Sequence, residues 1–178
     1  MSFILLFLPW TIQYFLGRYS MSGALAVALL LSLINLARSR HVMEWVTFLF
    51  FALGTLISLF LHDHFFQNVV SLLSSLTLCL ISWGSLWLKA PFTLPYAKKR
   101  APQQFWDSPI FWKINTIMTQ FFGVLFGLDF ILKGMRLLYP ELLPYSLFSI
   151  LLSLTILFFI SWFPSWYKKR ALTEGAPL

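Results

Sequence analysis

Charge is scarce in this sequence: its 178 residues are 11% Asp, Glu, Lys and Arg against 59% hydrophobic residues. A soluble domain of this size leaves roughly 30% of its unfolded surface in water, so that much apolar surface calls for lipid as its solvent. Acidic residues are the scarcest charge, six against thirteen Lys and Arg. Cysteine is almost missing. Cys79 stands alone inside an apolar run, which excludes an intramolecular disulfide and reads as a small packing residue. There is no HExxH, no CxxC pair, no glycine-rich phosphate loop and no Ser/His/Asp set with plausible proximity. A non-enzymatic protein without cofactor or metal is therefore expected.

What the sequence does contain is six long apolar stretches separated by basic clusters. The expected fold is all-α, a polytopic transmembrane helical bundle. Residues 3–16 and 21–37 form the first two segments, divided by Gly17, Arg18, Tyr19 and Ser20. The first reaches only about 21 Å against a hydrocarbon core of roughly 30 Å, so it either tilts, thins the bilayer or enters as a re-entrant hairpin. It has no basic region or small-residue cleavage site of a secretory signal and is kept as a membrane segment. Residues 42–61, 65–88, 109–132 and 142–163 supply the other four. Between the fourth and fifth lies a connection, residues 89–112, whose Pro91, Pro95, Pro102 and Pro109 forbid a continuous helix. Asp107 or Ser108 can cap the fifth helix, with Pro109 at its first position. Residues 1–167 are expected to form one helical domain, and 168–178 a basic, disordered cytoplasmic tail.

The positions of the cations set the orientation. The connections after segments two and four, the start of segment five and the tail hold ten of the thirteen Lys and Arg; Arg18, Lys133 and Arg136 lie on the other side. By the positive-inside rule both termini are cytoplasmic, in a multi-pass protein of a cell membrane. A net charge of +7 concentrated at segment ends suits anionic headgroups rather than nucleic acid.

Five features could carry more than membrane insertion. His62, Asp63 and His64 cluster in an extracytoplasmic loop, but a metal site would need ligands from elsewhere, so a polar turn is the simpler reading. Asp129 is placed near the outer end of segment five, where Lys133 at i+4 can pair with it; Glu44, one turn into segment three, lies beside Arg40. Asn115, Thr116, Thr119 and Gln120 add a polar stripe at the start of segment five. Ser71 and Ser75 on segment four, and Gly123 and Gly127 on segment five, have the four-residue spacing of close helix packing, within one chain or across a homo-oligomer. The fifth feature is the connection itself. Phe92, Tyr96, Phe105, Trp106, Phe111 and Trp112 interleave with Lys98, Lys99 and Arg100, with Lys113 following, as in an interfacial belt on which lipid or a protein partner could dock.

With the segments placed, short motifs line up over about residues 5–165. Phe7-Leu8-Pro9 opens the chain, and a basic stretch covers Arg38 to His41. Gly54-Thr55 precedes Phe60, His62, Asp63 and Phe65, and Trp112-Lys113-Ile114-Asn115 is followed by Phe121-Phe122. In these motifs and their order the chain resembles the septation protein A family of bacterial inner-membrane proteins. Gln67 stands where that family tends to have Lys, and the 89–112 connection is longer and richer in proline. The resemblance implies a bacterial inner-membrane protein that maintains the cell envelope, with cell-division and elongation proteins as partners and no catalytic residues. The competing expectation is a small transporter or channel using Asp129 and the stripe from Asn115 to Gln120.

Overall fold

The structure, a computed structural model, describes residues 3–17, 19–60, 64–139 and 145–173, and every element among them is helical. The helices are α1 (Phe3–Leu16), α2 (Met21–Arg38), α3 (Val42–Ser58), α4 (His64–Trp87), α5 (Leu94–Lys98), α6 (Pro109–Leu138) and α7 (Tyr145–Thr173), with a short 3-10 turn at Gln103–Phe105. Two of them, α2 and the Phe66–Trp87 part of α4, are long and apolar enough to cross a bilayer. The chain forms two compact units, Met1–Ser74 and Ser75–Leu178, with the boundary inside α4.

Large apolar side chains stand exposed in stripes along several helices, beside a core that holds both apolar and polar residues. Leu30, Leu33 and Ile34 of α2 are exposed, as are Leu49, Leu53, Leu56 and Ile57 of α3 and Val124, Leu128, Ile131 and Met135 of α6. These recur at steps of three and four residues, one face of each helix. Gln13, Ser32, Asn35, Glu44 and Thr47, by contrast, are buried in the first unit, and Ser75, Ser82, Thr93, Asn115 and Thr119 in the second. Exposed apolar faces of this extent mark surfaces that lipid or another protein covers, and the polar groups buried behind them must find partners inside.

In the first unit, α2 is capped by Ser20, whose Oγ accepts from Gly23 N–H at 3.3 Å. Trp10 of α1 lies 4.8 Å from the rings of both Phe50 and Phe51 on α3, and its indole N–H donates to Thr47 Oγ1 at 3.3 Å. A Cβ on Gly54 would come within 3.3 Å of Leu25, so a glycine there lets α2 and α3 approach. Glu44 is 1% exposed and accepts a hydrogen bond from Ser39 Oγ; its partner is that hydroxyl and not the expected Arg40.

In the second unit, α6 runs six residues past its expected end, so Asp129 is followed by more than two turns of helix instead of closing the span. Helix α7 runs on through Lys168, Lys169 and Arg170 to Thr173, where a disordered tail was expected; residues 174–178 lie outside the described residues. Stacked rings explain the extension. Phe159 stacks on Phe121 of α6 at 3.7 Å, and Phe159–Phe163, Phe158–Trp162 and Trp162–Trp166 continue the ladder past Pro164.

Candidate functional site

Two places in the second unit gather polar or charged side chains. The first lies between α4 and α6. Gly123 and Gly127 present bare backbone to α4: an added Cβ would meet Trp83 Nε1 at 2.8 Å from position 123 and Cys79 Sγ at 3.6 Å from position 127. The Cys79 thiol points to Gly123 O at 3.6 Å. Gly123 and Gly127 thus face the Trp83 and Cys79 side chains of α4, the helix that also carries Ser75. Ser71, one turn before Ser75 on α4, belongs to the first unit.

Beside these contacts lies a three-membered polar cluster. Ser75 Oγ donates to Asp129 Oδ2 at 2.5 Å, Lys133 Nζ donates to Ser75 Oγ at 2.7 Å, and Lys133 Nζ pairs with Asp129 Oδ2 at 2.7 Å. The i,i+4 pairing follows from helical spacing; the serine from the neighbouring helix does not, and it turns a surface-type pair into one that links two helices. Both charged side chains are about one-fifth exposed. Chemically the cluster can hold a charge pair in a medium of low dielectric, or expose it to a cation or proton when the helices part.

The second place is the basic end. Residues 91–96 fold inward rather than lying along a surface, and so Phe92 and Tyr96, expected in an interfacial belt, are buried. Phe92 N–H donates to Ser85 Oγ at 3.1 Å, and the Phe92 ring lies 5.7 Å from Phe122. Thr93 Oγ1 bridges α6, 3.0 Å from both Asn115 O and Thr119 Oγ1, while Asn115 Nδ2 donates to Phe111 O at 2.8 Å. The Thr119 hydroxyl and the Asn115 backbone carbonyl thus seat the connection, while the Asn115 side chain bonds within α6. Gln120 is exposed on another face of α6, so Asn115, Gln120 and Asp129 are not brought together.

Beyond this anchor the chain turns outward. Lys98 Nζ stands 5.3 Å over the Trp106 ring and 5.9 Å from that of Trp112, and Trp106 Nε1 donates to Ala101 O at 3.1 Å. From α7, Lys168 Nζ reaches 5.4 Å over Phe105, a contact that only the helical continuation of α7 supplies and that no local signal marked. Lys99, Arg100 and Lys113 are exposed around this cluster. Cations held over ring faces are fixed in place without being neutralised, and they keep N–H groups for an anionic partner.

His62 and Asp63 lie outside the described residues, and among the described residues no group of three or more His, Cys, Asp or Glu is placed to hold a metal. Comparison of the chain with protein-family models, with curated proteins and with solved structures finds no match.

Proposed function

We propose that the chain is a non-enzymatic, multi-pass membrane protein of the bacterial inner membrane. In this reading it supports envelope or septum synthesis by contact with division or elongation proteins, as in the septation protein A family that it resembles. The six-span topology with cytoplasmic termini belongs to this reading. The observation that carries it is the basic end: Lys98 and Lys168 are held over Trp106 and Phe105, while Lys99, Arg100 and Lys113 stay exposed beside them. A charged, aromatic surface seated on a buried hydroxyl anchor suits recognition, where aromatic and cationic anchors dominate binding energy. Photo-crosslinking in cells from positions 103 and 104, exposed in the same connection, tests it. Adducts with septal or lateral-wall synthesis proteins, lost in the Lys99→Gln/Arg100→Gln/Lys113→Gln variant at unchanged protein level, are expected; adducts that survive the variant would remove the basic end as docking surface.

A second reading, a small transporter or channel, is favoured by the Ser75–Asp129–Lys133 cluster. Asp129 lies 17 residues after Trp112, about 25 Å along α6, a depth still inside a hydrocarbon core of roughly 30 Å. Ionisable groups at such depth often serve transport. Flux through proteoliposomes that falls on Asp129→Asn would favour this reading over the first.

A further inference from the structure

Helix α4 stops in a Schellman turn. Lys89 N–H donates to Leu86 O at 3.0 Å and Ala90 N–H to Ser85 O at 2.9 Å, the paired bonds of a helix ended by a left-handed residue. That residue is usually glycine, because at positive φ a Cβ crowds its own backbone. Here it is Lys89, at φ 53°. A cation complements the helix dipole, but a lysine in the last helical turn would do so without adopting this conformation. The strained position has another consequence: it sets an ammonium beside an open groove of about 260 Å³ lined by Leu86, Lys89, Pro91, Trp112 and Thr116.

The walls of the groove define what would fill it. Lys89 is exposed and its ammonium has no partner among the described residues. Thr116 donates its hydroxyl proton to Trp112 O at 3.0 Å, which leaves the oxygen free to accept. Leu86 and Pro91 are apolar, and beside them Trp87 and Leu88 are 88% and 78% exposed. Lys98 stands on the same Trp112 ring at 5.9 Å, so a second cation is close. The complement is a ligand with an anion, a hydroxyl donor and attached hydrocarbon.

We propose that this groove binds the headgroup of an anionic glycerophospholipid of the phosphatidylglycerol class. The phosphodiester pairs with Lys89, a glycerol hydroxyl donates to Thr116, and the acyl chains leave over Trp87 and Leu88. Zwitterionic phosphatidylethanolamine fits less well, since its ammonium enters a site that already holds two cations. The inference rests on the membrane reading above, which is checked separately by retention of the chain in alkali-washed membranes.

Lys89→Gly makes a clean test, because glycine suits φ 53° and the variant is expected to melt no lower than wild type. The full chain in a non-ionic detergent is mixed with equal short-chain phosphatidylglycerol and phosphatidylethanolamine, and bound lipid is read by native mass spectrometry. Wild type and Lys89→Arg are expected to retain phosphatidylglycerol about ten-fold over phosphatidylethanolamine, and Lys89→Gly to lose that preference. Equal retention of the two lipids by wild type, or an undiminished preference in Lys89→Gly, overturns the proposal. Displacement of the lipid by equimolar inorganic phosphate also overturns it, by making a free anion the ligand.

Discussion

Asn35 Nδ2 donates to Leu5 O at 2.9 Å, and that oxygen is the one Pro9 deprives of its helical partner. Proline has no N–H to return to the residue four positions earlier, so α1 would carry an orphaned carbonyl at its centre. In hydrocarbon such a group costs more than in water because no solvent reaches it. Asn35, itself 6% exposed, comes from α2 to fill the gap. The proline and the asparagine, 26 positions apart in sequence, form one structural device.

That relationship is testable by a double-mutant cycle. Asn35→Leu is expected to destabilise the protein by about 1–3 kcal/mol, the cost of an unsatisfied buried acceptor. In a Pro9→Ala background the penalty should fall by half or more, since the substituted residue regains a backbone N–H that can donate to the Leu5 oxygen. Equal penalties in the two backgrounds, by thermal unfolding in detergent, would show that Asn35 acts by packing alone.

The glycines of α4 and α6 are expected to respond unequally to alanine. At Gly84 nothing lies within 4 Å of a new Cβ, and at Gly127 the nearest atom is at an ordinary 3.6 Å. Both substitutions should be neutral or stabilising by up to about 1 kcal/mol, the helix-propensity gain. At Gly123 the Cβ meets the Trp83 indole at 2.8 Å, and overpacking of about 1–3 kcal/mol outweighs that gain. Melting temperatures should rank Gly84→Ala and Gly127→Ala at or above wild type and Gly123→Ala below it.

For the ion pair, single and double substitutions separate structure from transport. Asp129→Leu takes the carboxylate away from the Lys133 ammonium, and breaking a buried pair costs about 3–5 kcal/mol; with one-fifth of each side chain exposed, about 2 kcal/mol is expected here. Asp129→Leu/Lys133→Leu removes both charges and should recover most of the loss. If the cluster is structural, the double variant also keeps biological function. Restored stability with lost proteoliposome flux would identify the pair as a transport element.

Local signals and long-range ones were unequally legible in the sequence. Helix α1 begins and ends at the expected Phe3 and Leu16, and α2 differs by one residue, because Ser20, Gly17 and the basic stretch after Ala37 are breaks that act within a turn. Ser108 sits at the expected N-cap of α6 with Pro109 following, although its side chain makes no capping bond. What escaped were contacts between distant elements. Nothing in the spacing of Asp129 and Lys133 indicates that Ser75 joins them. The proline-rich connection reads as a surface loop because proline stops helices, yet proline does not say which way the chain then turns. Its inward course depends on the hydroxyls of Ser85 and Thr119 and on the backbone carbonyl of Asn115, partners that lie on other helices.

Thr93 is the residue on which that inward course can be tested. Its hydroxyl lies 3.0 Å from Asn115 O and from Thr119 Oγ1, all three residues at most 3% exposed. Thr93→Val keeps the volume and β-branching but leaves the Thr119 hydroxyl without its partner on the connection, for an expected loss of about 1–3 kcal/mol. Thr93→Ser retains the hydroxyl and should lose less. The functional consequence separates anchor from surface: Thr93→Val changes no charge, yet it loosens the segment that carries Lys98, Lys99 and Arg100. Faster amide exchange across residues 93–106, together with weaker crosslinking from positions 103 and 104, is therefore expected in Thr93→Val and not in Thr93→Ser. Crosslinking that stays at wild-type strength while exchange accelerates would mean that partners read the charges of this segment and not its shape.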